Sequence, residues 1–252
     1  MNTALIFYGQ PRFAKECAPL IKERLIGPND ADVFMHFWLP QEGHEYKYSS
    51  QEYDTNWKNL HIDEDIESWL VDFYKPKSYL AEKPKDFYLP VEFGDSIEKY
   101  FGGVKHLSEK EIERWKRIHI RNSLSRWYSI HKAYQLFNKF QIENDITYER
   151  IILTRFDCYP SYNINCKDWS FDRIYYEQLN QPDGMISDWI LIGDQYLMKY
   201  IVDIYDYWNQ YVDCCLSKYN AWCNELLQKE SLSRRKSGHI KPISMGIILK
   251  RM

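Results

Sequence analysis

The sequence predicts a single α/β domain built on a mixed, mainly parallel sheet flanked by helices. Three observations carry that reading. The first forty residues alternate an apolar run, a helical pattern and a second apolar run. The clearest strand pattern of the chain, at residues 150–157, follows a long amphipathic helix. No internal repeat, low-complexity tract or linker divides the 252 residues, a length that one α/β domain fills.

Ala4 to Tyr8 is a continuous apolar run, the pattern of a strand buried on both faces. It ends at Gly9-Gln10-Pro11-Arg12, a turn with proline placed to open a helix. Phe13, Cys17, Leu20 and Ile21 recur at helical spacing until Pro28-Asn29 breaks the pattern. Asp32 to Trp38 reads as a second strand, which completes a βαβ unit and implies parallel pairing.

Residues 39–108 are rich in Tyr, Trp, Lys and Glu, are punctuated by Pro76, Pro84 and Pro90, and end at Gly102-Gly103. They read as a variable insertion or acceptor-side region holding a helix at Ile66–Phe73 and a strand at Ser78–Glu82. A helix is expected over 109–142, with Trp127, Ile130, Tyr134 and Phe137 on one face. Strands follow at Arg150–Asp157, Arg173–Glu177 and Asp188–Ile192. Gly193-Asp194 should end the last of these and cap a helix in which Leu197, Ile201, Ile204, Trp208, Val212 and Cys215 keep the 3.6-residue period. A second helix is expected at Tyr219–Leu227.

The net charge of −3 provides no basic field for a nucleic-acid backbone. The run Ser233-Arg234-Arg235-Lys236 is too short to change that. Six cysteines show no Cys-x-x-Cys pair or Cys/His ligand spacing, and no Asn-x-Ser/Thr sequon occurs. The first residues carry no basic segment of the kind that precedes a secretory signal. No segment approaches the roughly 18 apolar residues of a spanning helix. The expectation is a soluble cytoplasmic protein with no transmembrane segment, at most in peripheral contact with a membrane, and with no nucleic-acid partner. Aromatics make up 17% of the chain, with 21 Tyr and 9 Trp. Their apolar faces and polar handles suit sugars and nucleotides, and equally an aromatic-rich core.

The residues that could carry chemistry gather at strand ends. Ligands of open α/β sheets bind beyond the carboxyl ends of the strands. The run Ile151 to Phe156 delivers Arg155 and Asp157 to such an end. Asp157 could hold Mn²⁺ or Mg²⁺ and Arg155 a phosphate, or the two could be an ion pair closing the strand. Gly9 would let backbone approach a ligand closely, with Gln10 and Arg12 contacting a base or phosphate; an ordinary strand-to-helix turn explains them as well. Asp188 follows the turn signal Gln181-Pro182-Asp183-Gly184. It could bind sugar hydroxyls or deprotonate an acceptor, or be a solvated carboxylate. Glu225 is a second candidate catalytic carboxylate with the same bland alternative. Asp194 reads as a helix cap, His36 as a satisfied core residue, His131 as a helix-surface one, and Cys214, Cys215 and Cys223 as packing residues.

Four segments in order then resemble a group of bacterial and large-virus proteins assigned to the GT-A glycosyltransferases of surface-glycan pathways. They are Ala4 to Arg12, Asp32 to Trp38, Trp127 to Ala133 leading into Thr154-Arg155-Phe156-Asp157, and Asp188 to Asp194. The resemblance implies a GT-A (Rossmann-like) sheet and a nucleotide-sugar donor site near Gly9, Gln10 and Arg12. Arg155 and Asp157 would take the place of the family's donor- and metal-binding motif, and Asp188 would lie near the transferred sugar. The family's paired Asp-x-Asp is reduced here to Asp157 alone. The expected activity is sugar transfer from a nucleotide sugar to a glycan or other hydroxyl acceptor, assisted by Mn²⁺ or Mg²⁺ at Asp157. A non-catalytic nucleotide-sugar or carbohydrate-binding protein is the alternative, with a metal-dependent phosphoesterase third.

Overall fold

The computed structural model describes residues 2–40, 62–87, 109–167, 169–178, 186–219, 223–233 and 240–249, with backbone alone for 109–119. The proposed turn at 181–184, the basic run at 234–236, Pro90 and Gly102-Gly103 lie outside the described residues.

The chain opens as the apolar runs require. Strand β1 (Thr3–Gly9) pairs in parallel with β2 (Ala31–Trp38), joined by α1 (Ala14–Ile21), a wider helical stretch (Lys22–Ile26) and a short turn (Gly27–Asn29). Within the span 39–108, α2 (Ile66–Tyr74) leads to β3 (Ser78–Glu82), which joins the main sheet beside β2. Helix α3 (Glu109–Asn144) then crosses the sheet and delivers the chain to β4 (Arg150–Arg155). β4 pairs with the opposite edge of β1, so β1 is an interior strand with a parallel neighbour on each side.

Among the described residues the main sheet has seven strands in the order β3-β2-β1-β4-β7-β6-β8. β6 spans Ile174–Glu177, β7 Ile190–Gly193 and β8 Ile240–Ile243. The sheet is α/β, mixed and mostly parallel: β7 alone runs against its neighbours β4 and β6. Pro242 lies in β8, at the sheet edge, where its missing N–H breaks no ladder. A separate antiparallel ribbon joins β5 (Cys158–Pro160) to β9 (Ile247–Leu249).

The alternation of each strand divides the core in two. Ala4, Ile6, Phe34, Ile151 and Leu153 face α3 and the C-terminal helices, where Trp127, Ile130 and Phe137 are fully buried. Leu5, Phe7, Met35, Phe37 and Ile152 face α1 and α2. Side chains on both faces are what continuous apolar strands predict.

Several boundaries differ from the sequence reading. β7 begins at Ile190, so Asp188 lies in the bend before the strand it was expected to open. β4 ends at Arg155, and Phe156 and Asp157 form the turn into β5. The helix expected from Gly193 through Cys215 is two helices, α4 (Gln195–Val202) and α5 (Trp208–Tyr219), separated by a turn at 203–207. Ile204 and Trp208 stay buried across the break, so the apolar period runs through it unbroken. The helix expected at 219–227 begins instead at Asn224, as α6 (Asn224–Ser233). Asp194 caps α4 as expected, its carboxylate accepting the Leu197 amide at 2.8 Å. The described cysteines are free thiols, and burial raises those of Cys215 and Cys223 to about 12. Among the described residues no helix is long and apolar enough to cross a membrane.

Candidate functional site

In a sheet of this order, the chain leaves β1 toward β2 on one side, while β4 pairs on the other. The gap beyond the carboxyl ends of β1 and β4 is therefore the switch point at which open α/β sheets bind ligands. A solvent-open cleft of about 210 Å³ lies there. Tyr8, Gly9, Gln10 and Arg12 line it from the end of β1, and Arg155 from the end of β4. From above, α3 contributes Asn122, Ser125 and Arg126, which share one helix face through their three- and four-residue spacing.

Asp188 lines the same cleft because β7 is reversed. In a parallel strand the residues before it would lie at the opposite end of the sheet. The antiparallel register pairs Ile190 with Thr154, and that brings Asp188 beside the end of β4. Arg126 binds it twice. Its Nη1 meets the Asp188 carboxylate, and its Nη2 donates to the Asp188 carbonyl at 3.2 Å. Tyr8 donates its hydroxyl to that same carbonyl at 2.8 Å, and the Arg126 guanidinium lies 5.5 Å from the Tyr8 ring centre. Burial raises the cost of ionising Asp188, but Arg126 and then Arg155 outweigh it, so its carboxyl titrates below the usual range. Asp188 is therefore a firmly ionised, weakly basic carboxylate.

Glu225 has the opposite environment. It stands in the first turn of α6, next to the cleft-lining Asn224. Burial and the negative charge of Asp188 both push its carboxyl up, against the nearby Arg126. The two neighbouring carboxyls are thus driven in opposite directions, an arrangement suited to one fixed charge and one proton carrier.

Arg155 and Asp157 form a two-point fork. Arg155 donates Nε to Oδ1 at 2.9 Å and Nη2 to Oδ2 at 2.6 Å. The Asp157 side chain is only 2% exposed, whereas that of Arg155 is 22% exposed and faces the cleft. The ion-pair reading of this motif is thus realised, with Arg155 the ligand-facing member. Both Asp157 oxygens are engaged, and Asp188 is engaged by Arg126. Among the described residues no group of three His, Cys, Asp or Glu side chains could hold a metal ion. One or two carboxylates with substrate phosphates suffice for such an ion, but Asp157 and Asp188 are already bonded to arginines, so neither stands ready for Mn²⁺ or Mg²⁺.

Gly9 has φ +94°, and its N–H donates to Ser129 Oγ at 2.7 Å. Ser129 in turn meets His36 Nδ1 at 2.7 Å, and His36 Nε2 meets Glu82 at 2.9 Å. Burial lowers His36 to about 4, against the pull of Glu82, so the imidazole is neutral near pH 7. The tautomer follows: Nε2–H donates to Glu82, and Nδ1 accepts from the serine hydroxyl. The core role expected of His36 holds, and it extends to fixing the loop that begins the site.

Every sequence-chosen residue except Asp157 and Glu225 lines the cleft directly, and those two adjoin it. Arg126, Asn122, Ser125, Asn224 and Tyr8 were not singled out from the sequence. For Asn122, Ser125 and Arg126 the one available signal was their shared polar face on the helix; Asn224 and Tyr8 carried none. No protein-family model matches the chain, and no curated protein matches it.

Proposed function

We propose that the protein is a glycosyltransferase of GT-A type, moving a sugar from a nucleotide-sugar donor to a hydroxyl of a glycan acceptor. The observation that carries this reading is the convergence, in one switch-point cleft, of Arg155 and Arg126 with a fixed carboxylate, Asp188, beside Glu225, whose carboxyl burial pushes up. Phosphoryl oxygens match guanidinium geometry. The mixed sheet with helices on both faces supports the fold assignment.

On this reading Arg155 faces the diphosphate and stabilises the charge that develops as the anomeric carbon–oxygen bond breaks. Arg126 and Asp188 hold one another and define the wall beside the sugar. Glu225, once ionised, takes the proton of the acceptor hydroxyl as its oxygen bonds to the anomeric carbon. Asp188, the first choice from sequence for that base, is held by Arg126 and is assigned a positioning role. A cytoplasmic enzyme drawing on cytoplasmic nucleotide sugars fits this scheme.

Thermal denaturation against a panel of nucleotide sugars tests it. A donor at a hundred times its Kd stabilises by about 2.7 kcal/mol, a shift of roughly 5–10 °C for a chain of this size. Turnover of that donor with a hydroxyl acceptor, lost in Glu225→Gln, supports the assignment. Donor binding without transfer or hydrolysis would identify a binding protein, and a flat panel on folded protein would remove nucleotide sugars altogether.

A further inference from the structure

The orientation of Asn224 is fixed by chemistry. Trp127 Nε1, which can only donate, lies 3.0 Å from Asn224 Oδ1, and Ser123 Oγ donates to the same oxygen at 2.9 Å. Ser123 is itself held by the indole N–H of Trp208 at 3.0 Å. Trp127, Trp208 and Ser123 are buried. With its carbonyl turned to these partners, Asn224 has its Nδ2 amide group left for the cleft that it lines. Gln10 repeats the arrangement: its Oε1 accepts from Arg12 Nε, which leaves the Nε2 amide group. Arg155 uses Nε and Nη2 for Asp157, and among the described residues its Nη1 has no hydrogen bond. Three separate elements thus present N–H donors to one space, while Asp157 and Asp188 are held by arginines.

From this geometry we infer that the cleft binds a diphosphate directly, through Arg155 Nη1, Asn224 Nδ2 and Gln10 Nε2, with no bridging divalent cation. The inference rests on the transferase reading and gives Asn224 a ligand-binding role. Donors already oriented by hydrogen bonds within the protein need little reorganisation to meet anionic oxygens.

The decisive experiment is calorimetric titration of the full chain with the 5′-diphosphates of uridine, guanosine, adenosine and cytidine, in EDTA and again in excess Mg²⁺ or Mn²⁺. The expected result is that one diphosphate binds in EDTA and that added metal changes its Kd by less than about threefold. Asn224→Asp keeps the oxygen that Trp127 and Ser123 require and replaces the donor by an acceptor. It should weaken binding by tenfold or more while the melting temperature stays near that of the parent. Gln10→Glu makes the same exchange independently and should weaken binding likewise, so a folding defect in one variant leaves the other decisive. Binding seen only with metal would overturn the inference and leave the transferase reading standing. Unchanged affinity in both variants would overturn the donor assignment. Absence of binding by every diphosphate, with and without metal, would overturn both readings together.

Discussion

Arg126 grips both the carboxylate and the backbone carbonyl of Asp188, joining the middle of α3 to the segment that enters β7. Both side chains are largely buried, at 10% and 14% exposure. The pair therefore closes one wall of the cleft as well as shaping its charge.

Removing one member of such a pair leaves a buried charge uncompensated, at a cost of about 3 kcal/mol or more. Asp188→Ala should lower the melting temperature by roughly 6–12 °C. Adding Arg126→Met should restore part of that loss, and a double-mutant cycle measures the coupling. Parental stability in Asp188→Ala would show that the pair does not hold the wall.

Glu225→Gln should separate chemistry from binding. The substitution removes a carboxyl whose burial disfavours its charge, so thermal stability should hold or rise. Turnover should fall by about a hundredfold or more, the usual contribution of a general base, with donor affinity within threefold. Equal losses in affinity and turnover would make Glu225 a binding residue instead.

The stability of the fold should fall in mild acid through His36. In the native protein its imidazole is lowered to about 4, while the unfolded chain takes up the proton near 6.5. The stabilisation is complete above about pH 6.5 and is lost as pH falls toward 4, in total about 3.5 kcal/mol at roughly 1.4 kcal/mol per pKa unit. Glu82 follows in a lower window. Partial burial pushes it up, but hydrogen bonds from Lys85, His36 and Tyr128 bring it down to about 2, so its contribution is lost between about pH 4.5 and 2. Chemical denaturation at stepped pH should show the upper slope in the parent and a flattened one in His36→Gln.

Gly9→Ala should cost about 1–2 kcal/mol, the ordinary penalty for an L-residue at positive φ. A Cβ there meets no atom within 4 Å, so the loss is one of backbone strain alone. Circular-dichroism melting should find it roughly 2–8 °C below the parent; a larger loss would point to displacement of Ser129 from the Gly9 amide.

Much of this architecture is legible in the residues. β1 and β2 are written as continuous apolar runs because both faces are covered, and Ser78–Glu82 stands clear between its flanking proline and lysines. The break at 203–207 is not, because Ile204 and Trp208 continue the buried stripe across it. Arg155 could be placed from its strand, but the direction of β7 is a long-range outcome that no local pattern encodes. Asn224 is the hardest case: its meaning depends on Trp127, 97 residues away, and on Ser123 at 101. Arg126 hides for another reason, since a polar residue on a long helix ordinarily reads as solvent-facing.

β1 takes one partner from residues 31–38 and the other from 150–155. During synthesis its first edge is satisfied early, while its second stays bare until over a hundred further residues have emerged. Throughout that interval an uncharged, largely apolar strand offers unpaired backbone groups to any other chain. A nascent or prematurely terminated product ending before residue 150 is thus a hazard for self-association, and the yield of intact protein should depend on chaperones and on the speed of translation through α3.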